Sequence, residues 1–419
     1  MITHTQLLPG VSLRCKTDHR FKQSTLSVQF CRPMKDEEAA LNALLPAVLL
    51  RGCQGYPDMR RIILQLDDLY GAGVSSIVRR LGDYQITGIA CSFIEDRYAM
   101  PGDQVLAPMT DFVRQLLREP CTEKGVFSAE YVESERKNLL AAIDSQKNDK
   151  RVYAGNRLRQ LLCAKDSFGV PRLGRRSQVA AITPESLWAH YQKVLRESPV
   201  ELFYVGSQNP ETVAALLKPL FEGLDRSVTP LPPQTLLNAS APQNVEEALD
   251  VAQGRLAVGL TTQVHVLHEL YAPMQVLMMI YAGSTGKLFN VIREKMSLCY
   301  DIGGSFYSTK GFMVIHAGID FDKKEKVLKE IDRQLQACCE GDFTEEEFRS
   351  AKASLISQLQ ASQDSPAAIE SYYMTGLYTG LMIDPRESIA RIEAVTVQQV
   401  QQAAASFSRN TVYFLKGVQ

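Results

Sequence analysis

The chain has 419 residues, which is too long for one ordinary hydrophobic core and predicts two or three domains. Hydrophobic residues make up 45% and charged residues 22%, values typical of a globular protein. Because 46 basic and 47 acidic residues are well mixed and leave a formal net charge of -1, nothing favours a nucleic-acid surface or a basic membrane-binding patch.

Targeting and redox features predict a cytoplasmic protein without a membrane segment. Polar and charged residues are spread throughout residues 1–30, and no basic segment precedes an apolar one, so we expect no secretory signal. The most apolar run, residues 273–282, is half the ~20 residues that a membrane-spanning helix needs and predicts a core helix. Nine cysteines, an odd number without a Cys-x-x-Cys pair, favour reduced thiols over a disulfide framework or a cysteine zinc site.

Strand and helix patterns alternate along the first half of the chain. Alternating apolar residues predict strands over 12–16, 25–30, 74–80, 84–93 and 201–205. Helical patterns cover 36–50, 58–69, 104–117, 130–149 and 152–164. We expect Asp36 to cap the first helix, and the segment Thr183-Pro184-Glu185-Ser186 predicts another capped helix start.

Three segments of the first half return in the second half, in the same order. Residues 127–139 are echoed by 343–355, 181–183 by 394–396, and 202–206 by 413–417. Three matches in register predict a duplicated unit. The fold class predicted is α+β, formed twice: two homologous domains, each an antiparallel sheet with helices packed on one face. A proline-rich linker at 218–245 would separate domains at 1–217 and 246–419.

The most specific segment of the sequence is 283–300. It contains a loop with Gly283, Ser284 and Gly286, then a short helix, then Arg293 and Tyr300 seven residues apart. A glycine-rich loop before a helix could hold a phosphate, but the Gly-Lys-Ser/Thr spacing of a P-loop is missing.

This segment, with Lys310-Gly311 and Ala317-Gly318-Ile319, resembles the C-terminal half of the insulinase/pitrilysin-like zinc peptidases. The resemblance covers nearly the whole chain. It is strongest to the smaller members, which build one peptidase from two chains of about this length. It therefore implies a clam-shell formed with a partner.

The first domain of that family carries an inverted zinc motif, His-x-x-Glu-His, followed by a Gly and a Tyr-Pro pair, and a distal Glu completes the site. Two His on one helix face and the distal Glu hold the zinc, and the Glu of the motif polarises the water. Residues 49–53 and 56–57 of this sequence match the segment that follows the zinc motif in the family, including its Gly and its Tyr-Pro pair. The ligand positions are occupied by Ala43, Pro46, Ala47 and Ala142. Glu135 survives but cannot hold a metal alone. The resemblance implies no cofactor in this chain and zinc in the partner.

The family's second domain supplies an Arg and a Tyr that reach the substrate, and these map onto Arg293 and Tyr300. The resemblance gives them a catalytic role in trans, with Gly283, Ser284 and Gly286 binding substrate. A guanidinium and a phenol are suitable donors to a peptide carbonyl and its developing oxyanion. From residue types alone, Arg293 could instead pair with Glu294 or Asp301, and Tyr300 could pack in the sheet.

Three histidine positions offer weaker alternatives. His265-x-x-His268-Glu269 could share a helix face, but its spacing matches no zinc motif and predicts a solvated loop before residue 271. His190 and His316 are expected to be packing residues. No Gly-x-Ser-x-Gly motif or paired Cys and His indicates a covalent nucleophile.

Together these patterns predict the zinc-less subunit of a heterodimeric insulinase/pitrilysin-like metallopeptidase. Its partner would be a homologous subunit carrying His-x-x-Glu-His, and its substrate a peptide, for example a precursor or leader peptide. The alternative is a catalytically silent scaffold of the same fold. A third option is a homodimeric enzyme with a metal at His265 and His268.

Overall fold

A computed structural model describes residues 2–418 and contains two main β-sheets. The first sheet has six strands in the order β1-β2-β8-β3-β5-β4: β1 (Thr3–Leu8), β2 (Val11–Thr17), β3 (Gln23–Pro33), β4 (Gly73–Leu81), β5 (Tyr84–Ile94) and β8 (Val200–Gly206). The short hairpin β6 (Thr122–Glu123) and β7 (Val126–Phe127) lies outside it. The second sheet has the order β11-β12-β10-β13-β9: β9 (Gln243–Leu249), β10 (Gly254–Thr261), β11 (Asp301–Tyr307), β12 (Phe312–Ile319) and β13 (Ser408–Gly417).

Helices connect the strands in both halves. The first half contains α1 (Asp36–Leu49), α2 (Met59–Asp68), α3 (Leu106–Arg118), α4 (Ala129–Asn148), α5 (Lys150–Leu162), α6 (Arg176–Ala180), α7 (Pro184–Glu197) and α8 (Pro210–Leu217). The second half contains α9 (Tyr271–Ala282), the π-helix Leu288–Lys295, α10 (Lys324–Glu340), α11 (Glu345–Ala361), α12 (Pro366–Thr379), α13 (Pro385–Glu393) and α14 (Val397–Ala405). No helix within 2–418 is both long and apolar enough to cross a bilayer.

The strand orders confirm the duplication. Read from β9, the second sheet runs β9-β13-β10-β12-β11, which matches β2-β8-β3-β5-β4 of the first sheet strand for strand. Each sheet has one parallel pair at the same place, β2 with β8 and β13 with β9, and its other pairs are antiparallel. Both halves therefore have the predicted α+β class, and β1 is an addition to the first.

The two compact units are not continuous in sequence. One unit contains residues 1–143, 170–233 and 363–378, and the other contains 144–169, 234–362 and 379–419. Each half of the sequence thus contributes one helical segment to the unit built around the other half's sheet. The predicted domain boundaries describe the repeat rather than this packing, and they stay a prediction.

In the first unit, α12 packs on the face of the sheet that lies opposite the main core. Ile369, Tyr373 and Met374 join an apolar cluster with residues of β3 and β8 such as Cys31 and Phe203. Glu370 is almost fully buried and accepts hydrogen bonds from Ser27 and Gln29, while Arg79 lies 3.3 Å from its carboxylate. Because both faces of the sheet are covered, nearly every residue of the central strand β3 is buried.

In the second unit, α5 has the equivalent position. Its apolar residues Ala154, Leu158 and Leu162 join a cluster formed by Ala257, Phe312, Val314 and Tyr413 of the five-stranded sheet. The carboxylate of Glu247 on β9 accepts hydrogen bonds from Tyr153 at 2.6 Å and from Tyr413 at 2.8 Å. The sequence predicted this helix but not the sheet that it covers.

A buried ion pair anchors the β11–β12 hairpin. Lys310, which is fully buried in the hairpin turn, lies 3.0 Å from the carboxylate of Asp166, whose side chain is only 4% exposed. The other carboxylate oxygen accepts from the backbone N–H of Asn238 at 3.1 Å. The pair therefore ties together the hairpin, the loop after α5 and the last part of the proline-rich segment.

Two predictions about helix starts have different outcomes. Thr183 begins α7 with a reciprocal capping box, in which it exchanges hydrogen bonds with Ser186. The prediction for Asp36 was wrong: Lys35 is the N-cap of α1, without a side-chain cap bond, and Asp36 is the first helical residue. Its carboxylate accepts hydrogen bonds from Arg175 and Gln178 instead.

Candidate functional site

The helix α1 contains three of the four positions to which the family resemblance assigns zinc-site residues. Ala43 and Pro46 are buried and Ala47 is half-buried. The helix continues past Pro46 to Leu49, although proline cannot donate the backbone bond of a helix interior. Pro46 borders an apolar cavity of only about 10 Å³, with Leu45, Phe30 and Tyr191 among its other walls. This volume is about the least that one water molecule occupies, so apolar packing fills this region.

The fourth position, Ala142, is an exposed residue of α4. Glu135, two turns earlier on the same helix, faces Arg51, whose guanidinium lies 3.4 Å from its carboxylate and donates to Ser134 at 2.8 Å. Arg51 thus supplies positive charge beside the carboxylate of Glu135. Within residues 2–418, no group of three or more His, Cys, Asp or Glu side chains could hold a metal ion.

A buried polar network lies one and two turns before Pro46 on α1. The Nε2 of His190 lies 2.8 Å from the Oδ1 of Asn42, and Asn42 donates to Gln85 at 2.9 Å. Burial lowers the pKa of His190 to about 4, so its imidazole is neutral at pH 7. Burial raises the pKa of Glu38, but the stronger combined effect of Arg32 and Lys193 lowers it to about 2. These groups satisfy one another, and His190 is the packing residue that the sequence predicted.

Arg293 and Tyr300 line one open cleft of about 340 Å³. The remaining walls come from Glu294, Ser297, Leu298, Cys299 and Lys323. The π-helix carries Arg293 near its end, and the chain then turns at Ser297, which has a φ of 50°, before β11 begins at Asp301. Lys323 comes from the short helical turn after β12, and no sequence motif indicated its approach to the other two residues.

The Arg293 guanidinium is only loosely held by protein groups. It lies over the ring of Phe289, with 4.8 Å between its central carbon and the ring centroid. Its nearest carboxylate is that of Glu294, at 3.7 Å. Asp301, the other acid that the sequence offered, is paired with Arg255 at 2.6 Å. The Arg293 guanidinium is therefore free to donate hydrogen bonds to an anionic or carbonyl group of another molecule.

Tyr300 is 61% exposed and does not pack in the sheet. Its backbone N–H donates to Gly318, and its hydroxyl donates to the Oδ1 of Asp320 at 3.0 Å. Lys323 lies 2.6 Å from the same carboxylate and, together with Tyr300, lowers the pKa of Asp320. The hydrogen bond to Asp320 raises the pKa of Tyr300, so the phenol stays protonated and can donate near neutral pH.

The glycine loop is explained by close backbone packing. A Cβ on Gly286 would lie 2.9 Å from backbone atoms of Met279, Ile280 and Gly283, and one on Gly283 would lie 2.5 Å from the carbonyl oxygen of Met279. Gly286 is buried, whereas Ser284 is exposed. These three residues are not among the walls of the Arg293–Tyr300 cleft, and their role in substrate binding stays a prediction.

His265 and His268 act as local caps in the loop before α9. The Nδ1 of His265 accepts from the backbone N–H of Leu267 at 3.3 Å, and the Nδ1 of His268 accepts from Leu270 at 3.0 Å. Burial, followed by the neighbouring His268, lowers the pKa of His265. Both rings thus satisfy their own loop, as expected for a segment that leads into a helix.

The fold has two homologous α+β halves, and in the first of them apolar packing surrounds Pro46 of α1. Residues 181–355 match the family model described as the peptidase M16 inactive domain. A "probable inactive metalloprotease YmfF" from Bacillus subtilis is 27% identical over 98% of this chain and 96% of that protein. The chain is therefore homologous to these M16-family proteins, and residues 2–418 contain no group of side chains that could hold a metal ion.

Solved structures have the same fold. A conserved protein from Enterococcus faecalis superposes with a TM-score of 0.92 and 29% identity, covering 100% of this chain and 99% of that one. A peptidase M16 inactive domain from Pseudomonas fluorescens superposes with a TM-score of 0.83 and 16% identity, over 100% of this chain and 98% of that one. These structures share the fold of this chain, whose second half contains the open polar cleft.

Proposed function

We propose that this chain is the zinc-less subunit of a two-chain M16 peptidase and that it supplies Arg293 and Tyr300 to the peptide in trans. The zinc would belong to a homologous partner that carries His-x-x-Glu-His. The observation that carries the proposal is the cleft itself, where an exposed Tyr300 and a loosely paired Arg293 line one open space. An arginine kept only for stability would be buried or would have a close anionic partner, and Arg293 has neither.

The chemistry of the two side chains fits this role. A peptide carbonyl attacked by zinc-bound water develops negative charge, which hydrogen-bond donors stabilise. Arg293 offers a delocalised cation with several N–H donors, and Tyr300 offers one O–H donor. The chain itself has no metal group among residues 2–418 to activate water. A division of labour between two subunits therefore accounts for both the lost zinc site and the retained donors.

The proposal extends to substrate and location. A closed chamber would admit short or unfolded peptides, so peptide processing is the expected activity. A cytoplasmic complex agrees with nine free cysteines, most of them buried, that form no disulfide.

The test is peptide cleavage by the co-purified pair of this chain and a zinc-bearing homologue encoded by the same organism. We expect cleavage by the mixture but not by this chain alone. Arg293→Ala should lower kcat about 100-fold or more while leaving the complex intact. Lys295→Ala is the matched control, because Lys295 is an exposed cation of the same π-helix that does not line the cleft.

A second candidate is a scaffold that has lost every role in the reaction. It is favoured by the trio of Tyr300, Asp320 and Lys323, which satisfies its own hydrogen bonds and charges without any substrate. For a scaffold, Arg293→Ala and Lys295→Ala should be equally silent. Cleavage by this chain alone would contradict both candidates.

A further inference from the structure

The helix α2 presents an apolar stripe that nothing in its own unit covers. Met59 is 40% exposed, Ile63 is 51% exposed and Tyr70, just after the helix, is 38% exposed. Met59 and Ile63, four residues apart, form one line on the face of α2, and Tyr70 follows beyond the C-cap Leu69 with a φ of 60°. Met100 continues the line, because its backbone N–H donates to the Tyr70 hydroxyl at 2.9 Å and its side chain is 66% exposed. We define Met59, Ile63, Tyr70 and Met100 as the α2 stripe.

Charged residues of opposite sign border the α2 stripe at its two ends. Arg60 and Asp67 are exposed, and at about 100° per residue both fall on the same side of Ile63. They are seven residues apart, which is ~10 Å along the helix, and their midpoint lies between Ile63 and Leu64. Within residues 2–418, neither residue forms an ion pair.

The placement of these charges is not explained by the stability of α2. The first turn contains Arg60 and Arg61, the last turn contains Asp67 and Asp68, and the helix has no acid in its first turn and no base in its last. A helix dipole favours the reverse arrangement. Asp58 caps the N-terminus by accepting from the backbone of Arg61, which offsets part of this cost. The charges therefore fit something outside the helix.

We propose that the α2 stripe binds the α2 stripe of a second copy of this chain, with the two helices antiparallel across a two-fold axis near Ile63. A two-fold axis between antiparallel helices brings the same side of each helix together, so Arg60 of one copy would face Asp67 of the other, twice. The Ile63 side chains would meet at the centre. A self-complementary patch of this kind is what a symmetric dimer requires, and the inference does not depend on the proposed peptidase role.

The area of the α2 stripe determines the affinity that we expect for the dimer. A helix of ten residues, with Tyr70 and Met100 beside it, offers less than the ~800 Å² per partner of a standard interface. We therefore expect a dimer with micromolar or weaker affinity that weakens as salt screens the two charge pairs.

Sedimentation velocity of the full chain, over concentrations from low to several hundred micromolar, tests the proposal. Wild type should show a monomer–dimer equilibrium. Arg60→Asp and Asp67→Arg should each weaken dimerisation about tenfold or more, because like charges then face each other. The double variant Arg60→Asp with Asp67→Arg should restore it. Lys329→Asp, a charge reversal at an exposed position of α10, should leave it unchanged.

Three outcomes overturn the proposal. One is a monomer at every concentration. Another is a dimer that Arg60→Asp does not weaken or that the double variant does not restore. The third is a monomeric chain in which Arg60→Asp weakens the complex with the zinc-bearing homologue, because the α2 stripe would then bind that partner. Unchanged melting temperatures of these surface variants confirm that each is folded.

Discussion

The two halves of the chain have the same strand order, but their candidate functional regions differ: one is filled by apolar packing and the other is an open polar cleft. In the first half, the α1 positions that the resemblance assigns to the zinc site are apolar, and the cavity beside Pro46 has a volume of about 10 Å³. In the second half, Arg293 and Tyr300 line a cleft of about 340 Å³. This difference supports the proposal that the second region, and not the first, meets a ligand.

The largest expected effect concerns the anchor of the hairpin that begins beside the cleft. Asp166→Ala leaves the fully buried Lys310 ammonium without its carboxylate, which should lower the free energy of unfolding by about 3–5 kcal/mol. Asp332→Ala, which removes the acid of the half-exposed pair with Arg409, should cost about 0–1 kcal/mol. Urea denaturation measures the free energy of unfolding of both variants. Equal losses would show that the buried Lys310–Asp166 pair stabilises the protein no more than the half-exposed pair does.

The open cleft can be tested by removing one oxygen atom. In the two-chain complex, Tyr300→Phe should lower kcat about 100-fold, because a hydrogen-bond donor to the developing oxyanion is lost. The melting temperature should not change, since the ring is 61% exposed. Steady-state kinetics on one peptide measures the effect. A rise in KM alone, with kcat unchanged, would limit Tyr300 to substrate binding.

The apolar packing of α1 can be tested by placing a histidine, a residue that binds zinc, at position 43. Ala43→His places an imidazole at a residue that is 5% exposed, and overpacking should lower the free energy of unfolding by about 1–3 kcal/mol. The matched control is Lys295→His on the exposed π-helix, which should change it by less than about 0.5 kcal/mol. A variant at Ala43 as stable as wild type would show that room for a ligand remains.

Lowering the pH should reduce the free energy of unfolding of the first half, because His190 is buried in its neutral form. Because burial lowers its folded pKa to about 4, below its value in the unfolded chain, the contribution of His190 is complete above about pH 6.5 and is lost as pH falls towards 4. Between pH 7 and pH 5 this loss should be about 2 kcal/mol. His190→Gln cannot gain the proton, so its stability should fall less over the same range. Both proteins keep Glu38, so the difference between their denaturation curves isolates His190; parallel curves would contradict the assignment.

Much of the fold was accessible from the sequence, because the repeat signals and helix patterns are local. The Thr183 capping box and the helix over 130–149 depend on neighbouring residues and were predicted correctly. The crossing of α5 and α12 to the other half's sheet was not, because an amphipathic pattern shows that a helix is covered but not which sheet covers it. The strand β1 was also missed, because its exposed edge has a weak apolar alternation.

The candidate site was predictable only in part, because some of its residues are close in sequence and others are brought together by the fold. The family resemblance, and not the seven-residue spacing by itself, implied a shared role for Arg293 and Tyr300, and both line one cleft. The contribution of Lys323 and Asp320 could not be found, because β11 and β12 separate them from Tyr300 in sequence and only the antiparallel pairing brings them back.

The most direct test of the central claim is a photo-crosslink from the cleft to a bound peptide. Tyr300 is replaced by the photoreactive amino acid p-benzoylphenylalanine, and the chain is combined with a zinc-bearing partner whose motif Glu is changed to Gln so that the peptide is bound but not cut. The account predicts a covalent adduct with the peptide from position 300 and none from the same probe at position 295. No adduct from position 300, in a complex that binds the peptide, would contradict the claim that this chain completes the active site.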